Sequence, residues 1–181
     1  ITISEADYKS TIFKNTSVLD EVTGYYEENG KPSEIKETVW QHLMRVVGFT
    51  QGNLGEHGLP LMLDGDWNDI ISKFSHKGRG ESVFAGEQYV AALRKLIELA
   101  ERTGRAEDKA MLEAYLGEQL ENLSKHAWNG KWWYRCFNDE GEPIGADGDA
   151  FGRIWLNPQS WAIISDTGTK EQQNGAFEAV E

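Results

Sequence analysis

Basic charge, cysteine and long apolar runs are all scarce in this sequence, and each scarcity narrows what it can do. A single cysteine, Cys136, excludes an internal disulfide and any cysteine-rich zinc site. Thirty Asp and Glu against eighteen Lys and Arg leave a formal net charge of −12. That balance argues against a nucleic-acid partner, which requires a basic face. No apolar stretch approaches the roughly 20 residues that span a bilayer, so no membrane partner is expected. The four histidines, His42, His57, His76 and His126, show no paired ligand spacing, and no calcium-loop pattern occurs, so no metal is expected. Gly78-Arg79-Gly80-Glu81 falls short of a nucleotide-binding loop, and no cofactor is expected. The chain opens on Ile1 without a basic patch or an apolar signal core. With the lone cysteine, this predicts a cytoplasmic location, and the missing Met predicts a portion of a longer polypeptide.

What is plentiful is aromatic. Seven Trp and six Tyr occur in 181 residues, several beside Gly, Asn or Asp: Trp67 within Asp66-Trp67-Asn68-Asp69, and Trp128 to Tyr134 around Asn129-Gly130-Lys131. Aromatic faces mixed with amides and carboxylates suit sugars, whereas core packing is the preferred reading for Trp132 and Trp133.

Apolar periodicity predicts a mainly helical chain. Residues 4–14 form a weak helical pattern and Thr23–Lys31 reads as a loop. Ile35, Val39, Leu43, Val46, Thr50 and Leu54 predict a one-faced helix with Ser33 as N-cap and Gly55 as its stop. A long connection covers residues 56–80. A broad-faced helix from Ser82 to Arg102 stops at Gly104, and a second runs from Ala106 to Lys125, giving an antiparallel αα-hairpin. Residues 131–144 predict a small β-hairpin. Asn157-Pro158 predicts the start of a short helix, and Thr169 with Gln172 a capping box. The last helical pattern continues to Glu181 with no C-cap. Alternating broad and narrow apolar faces suit a two-layer helical array of inner and outer helices.

Gly65-Asp66-Trp67-Asn68-Asp69 is the densest chemical cluster. Two carboxylates, an amide and an indole on irregular backbone can serve framework and ligand separately. A neighbouring carboxylate or an apolar wall raises the pKa of an acid that must donate a proton. Composition alone favours an Asx-turn or a helix-capping cluster. Cys136 beside Arg135 reads as a packed thiol.

Glu56-His57-Gly58-Leu59-Pro60-Leu61 followed by Asp66-Trp67-Asn68-Asp69 resembles the catalytic segment of the inverting β-glycoside phosphorylases, the cellobiose and chitobiose phosphorylase family, which includes the phosphorylase domain of cyclic β-1,2-glucan synthases. Gly80-Glu81-Ser82-Val83-Phe84, Ala127-Trp128-Asn129-Gly130-Lys131-Trp132-Trp133-Tyr134-Arg135 and Gly152-Arg153-Ile154-Trp155-Leu156-Asn157-Pro158-Gln159-Ser160-Trp161 agree in the family's order. The resemblance spans roughly residues 33–165. It implies an all-α fold, about half of an α/α toroid of paired inner and outer helices with one small β-hairpin, and it makes residues 1–181 one partial catalytic domain. It implies a glycosyltransferase of the phosphorylase type, which cleaves a β-linked disaccharide or oligosaccharide with inorganic phosphate to α-sugar 1-phosphate. The resemblance makes Asp69 the general acid and places Trp67 at the sugar site, with Asp66 beside it. Glu81 and Gln159, each at the start of a broad-faced helix, are further candidates at the toroid mouth, with helix capping as their alternative role.

Relative to the family, the N-terminal β-sandwich, the upstream sugar-site segment and the downstream phosphate-site segments are absent. The isolated chain is therefore expected to be inactive and to self-associate through exposed inner helices. The rival readings are a helical-toroid hydrolase using water and a second carboxylate, and a non-catalytic sugar-binding fragment.

Overall fold

The computed structural model describes residues 16–26 and 30–181, so the pattern over residues 4–14 lies outside the described residues. Two compact units divide the chain after Gly52.

In the first unit a 3-10 turn, Thr16–Asp20, leads into strand β1 (Val22–Tyr26), which pairs antiparallel with β2 (Pro32–Thr38). The loop expected over Thr23–Lys31 therefore begins as strand. Helix α1 covers Val39–Gln51 with Gly52 as its stop in place of Gly55, and it also corrects the expected helix in its first turns. The cause is a stronger N-cap downstream of Ser33. Thr38 Oγ1 accepts from the Gln41 amide at 3.2 Å, and the Gln41 side chain accepts from the Thr38 amide at 2.8 Å. Two of the helix's orphan donors are thus satisfied at Thr38. Ser33 instead accepts from the Ile35 amide two residues on, a local turn bond. Glu37 on β2 accepts both guanidinium bonds of Arg45 at 2.5 Å and the Tyr25 hydroxyl at 2.6 Å. These bonds, Arg45's first, hold the Glu37 carboxyl down to about 2.

The second unit is built on α2 (Val83–Arg102), packed chiefly against α3 (Ala106–Asn122) and then against α4 (Leu156–Ser165). Ser82 caps α2 by accepting from the Ala85 amide at 3.1 Å, and Gly104 at φ +71° turns the chain into α3. The expected hairpin of a broad-faced and a narrow-faced helix is present. Nine residues of α2 are buried but only Leu112 and Gln119 of α3. α3 ends at Asn122, before the expected Lys125, and a single π-helical turn, Leu123–Ala127, follows it. α4 begins at Leu156, two residues before Pro158, the expected first helical position, and α5 (Lys170–Glu178) carries the expected Thr169–Gln172 capping box. α5 ends inside the chain with Ala179 as its cap, contrary to the uncapped pattern read from the sequence.

The expected β-hairpin is present as β4 (Cys136–Phe137) and β5 (Pro143–Ile144), and it gains a third strand, β3 (Glu81–Ser82). About half of the described residues are helical, and two small sheets lie among them, so the all-α reading with one hairpin understates the β content. β3 escapes sequence detection because two residues carry no periodicity. The core gathers Leu59, Val83, Val90, Leu123, Ala127, Trp133, Phe137, Ala162 and Ala176. Both Trp132 and Trp133 are buried. No helix among the described residues is long and apolar enough to cross a membrane.

Candidate active site

The long connection over residues 56–80 is held at two points by buried carboxylates. At its start Glu81 accepts from the amides of His57 (3.0 Å) and Leu59 (3.1 Å), and its second oxygen meets His57 Nδ1 at 2.5 Å. Gly55 lies so close beneath this carboxylate that any β-carbon there would fall within 2.4 Å of Glu81. The His57 ring stacks on Phe137 with centroids 4.1 Å apart. Backbone bonds then tie the segment to β3, from Ser82 N to Pro60 O (2.8 Å) and from Met62 N to Gly80 O (2.9 Å).

Toward its middle the connection is held at Asp66. One oxygen accepts from Arg135 Nη2 and from the Asn68 amide (3.2 Å), and the other accepts from Ser82 Oγ at 2.7 Å. Arg135 also reaches Ser82 Oγ at 3.4 Å and lies 5.4 Å over the Phe84 ring. Its side chain is fully buried and that of Asp66 is 2% exposed. A buried arginine is tolerated only when paired, and this pair fixes the loop to both the sheet and the head of α2.

Directly after this anchor the chain turns outward. Trp67 is 80% exposed and, with Asn68, Ile70 and Asn157, lines an open recess of about 410 Å³. Asp69 opens a 3-10 turn, Asp69–Ser75, pinned by the Ile71 amide on Asn68 O at 2.8 Å and by the buried Ile71 side chain. The Asp69 side chain lies outside the described residues.

Glu81 and Gln159 do stand at the heads of α2 and α4, but both are buried and turned to the framework. Gln159 accepts from the Trp133 amide at 2.9 Å and donates to the carbonyls of Trp133 (2.8 Å) and Trp155 (3.1 Å). It closes a backbone gap where neither helix nor sheet supplies partners. Glu81 also borders a second recess of about 490 Å³, with His57, Arg79, Asn138 and Glu140. Among the described residues no group of three or more His, Cys, Asp or Glu is arranged to hold a metal.

Sequence reasoning missed Arg135 and Asn157 as parts of this region. Arg135 had a signal, a lone cation inside the run Trp132–Phe137, which predicts a buried counter-ion. Asn157 was read only as an N-cap, a role that falls to Trp155. Burial pushes the Cys136 thiol up to about 12 despite the opposing charge of Arg135, consistent with a packed thiol. Burial likewise pushes the Glu87 carboxyl well above the usual carboxylate range, against the pull of Arg135.

Residues 3–181 match the Glycosyl hydrolase 94 superfamily, catalytic domain. The chain is 33% identical over 171 residues to a solabiose phosphorylase of Paenibacillus borealis, covering 88% of this chain and 22% of that protein. It is also 33% identical over 167 residues to a 3-O-beta-D-glucopyranosyl-beta-D-glucuronide phosphorylase of the same organism, covering 92% and 21%. With an N,N'-diacetylchitobiose phosphorylase of Vibrio furnissii the identity is 28% over 166 residues, covering 91% and 20%. The chain thus spans about a fifth of the length of these relatives. By the match across nearly its whole length, it belongs to the glycosyl hydrolase 94 superfamily.

Proposed function

We propose that this chain supplies the proton-donating side of a disaccharide phosphorylase, acting on a β-linked disaccharide or oligosaccharide with inorganic phosphate. The observation that carries the reading is the exposed Trp67 two residues before Asp69, on a segment anchored from behind by the buried Asp66–Arg135 pair. An indole open to solvent offers an apolar face to sugar C–H groups, and a carboxyl-bearing residue follows it two positions along the chain. The relatives' names support the phosphorylase class.

Asp69 gives its proton to the departing glycosidic oxygen as a phosphate oxygen attacks the anomeric carbon from the opposite face. The carbon–oxygen bond to the leaving sugar breaks, the new bond to phosphate forms, and α-sugar 1-phosphate results with inversion. Phosphate arrives as an anion, so no second carboxylate is needed to activate it, unlike inverting hydrolysis. Trp67 contacts the sugar, and Asp66, Glu81 and Gln159 shape the floor on which it rests. The wider frame is an α/α toroid of which residues 1–181 are part, in a cytoplasmic enzyme. The chain alone is inactive and self-associates through surfaces that the rest of the toroid covers.

The test uses the complete protein. Turnover of a β-linked disaccharide should require phosphate and yield sugar 1-phosphate, and Asp69→Asn should abolish turnover while disaccharide binding by calorimetry persists. Release of free sugar without phosphate would make the protein a hydrolase, and binding without turnover in the unaltered protein would make it a sugar-binding protein.

A further inference from the structure

We propose that Arg135 is the positioning residue of the Asp66–Asp69 segment, and that the buried, unpartnered Glu87 is its reserve counter-ion. The positioning half rests on the function proposed above. The counter-ion half rests on the structure alone.

Three ionisable side chains converge on the head of α2. Arg135 and Asp66 are paired, and Glu87 is the third, at 0% exposure on the second turn of the helix. Neither carboxyl oxygen of Glu87 has a hydrogen-bond partner among the described residues, and neither has Arg135 Nε. An ionised carboxylate in that position would be desolvated and unpaired, a state that buried groups escape by holding their proton. Among the described residues, Arg135 is the charged group that acts on Glu87. Helix α4, which packs on α2, carries no ionisable residue over Leu156–Ser165, and those of α3, the chief neighbour of α2, are all at least partly exposed. Cys136, the remaining titratable neighbour of Arg135, keeps its thiol proton.

Arg135 is bonded to Asp66 and lies over the Phe84 ring, one helical turn before the unpartnered Glu87. Ionising Asp66 and leaving Glu87 neutral draws the guanidinium to the loop, where it holds Asp66, Ser82 and, through Asp66, the Asn68 amide. Ionising Glu87 in place of Asp66 draws it into the α2 side and frees the loop. The direction of the Arg135 fork therefore sets whether the segment bearing Trp67 and Asp69 is fixed.

The experiment is a double-mutant cycle in the complete protein, read by hydrogen exchange of the α2 amides and by steady-state kinetics. Glu87→Gln alone should slow exchange, because a buried carboxyl without a partner is replaced by a neutral isostere. On the Asp66→Asn background the same change should speed exchange, because it removes the only remaining anion for Arg135. Equal signs in the two backgrounds overturn the reserve counter-ion. Asp66→Asn should also lower kcat per folded molecule by about a hundredfold with KM for phosphate unchanged, as misplacement of a reacting group does. Conservative Arg135→Lys should recover less than a tenth of the kcat, since an ammonium lacks the fork that spans Asp66 and Ser82. An unchanged kcat in Asp66→Asn overturns the positioning role. If the unaltered protein does not consume phosphate, the proposed function falls, and the exchange cycle still decides the counter-ion half.

Discussion

Arg135 and Asp66, sixty-nine positions apart, form an ion pair with side chains only 0% and 2% exposed. Removing one member strands the other. Arg135→Met should therefore cost about 3–5 kcal/mol of local stability, the range for breaking a buried pair. Hydrogen exchange of residues 60–72 and the head of α2 measures it. A loss below about 1 kcal/mol would mean the pair is solvated in solution.

Glu87 gives a pH dependence of definite sign. Burial raises its folded-state pKa above the ordinary value of 4.5. The unfolded chain then releases the proton from about pH 4.5 upward while the folded chain keeps it, so stability falls as pH rises through that window. Below pH 4.5 both states are protonated and the cost disappears. Glu87→Gln should be more stable than the unaltered protein at pH 7, and the difference should vanish near pH 4, as followed by hydrogen exchange of α2 at the two pH values.

The helices were legible wherever a start or stop signal and an apolar period agreed, as at Gly104 after α2 and at the Thr169–Gln172 box. They were misread where two caps competed. The spacing from Ile35 to Val39 continues a helical period, yet β1 pairs with that stretch and Thr38 with Gln41 closes a better cap. No local pattern reports the pairing of Lys36, Glu37 and Thr38 with Gly24, Thr23 and Val22 across the turn. The site divides in the same manner. Asp66, Trp67 and Asp69 stood out as a cluster, but the framework roles of Glu81 and Gln159 depend on His57, Leu59 and Trp133, contacts 22 to 26 residues distant.

Cys136 should be inert in the folded protein. It is fully buried, and burial pushes its thiol up to about 12, so almost no thiolate exists at pH 8. Labelling by a maleimide or a disulfide reagent should appear only after urea is added. Stoichiometric labelling of the folded protein would show that β4 opens readily.

In the first unit, Arg45 and Tyr25 hold the Glu37 carboxyl at about 2. Because that value lies below the unfolded one, the bond's contribution is complete above about pH 4.5 and fades as pH falls through 2. Arg45→Gln should move the Glu37 titration, read by carboxyl carbon NMR, up toward 4.5. Contact between β2 and α1 should then weaken by pH 3. An unmoved titration would assign the shift to Tyr25 alone.

Trp67 separates binding from folding most cleanly. At 80% exposure it contributes little packing, so Trp67→Ala should leave hydrogen exchange across α2 and β3 to β5 unchanged. If its indole carries a sugar ring, the same change in the complete protein should raise KM for the disaccharide about tenfold, the scale of one lost aromatic contact. Trp67→Phe should fall between the two, because a smaller ring keeps part of the face. KM for phosphate should not move, since the indole meets the sugar and not the nucleophile. Equal loss of affinity for both substrates would place Trp67 in the shape of the whole cleft instead of at a sugar subsite.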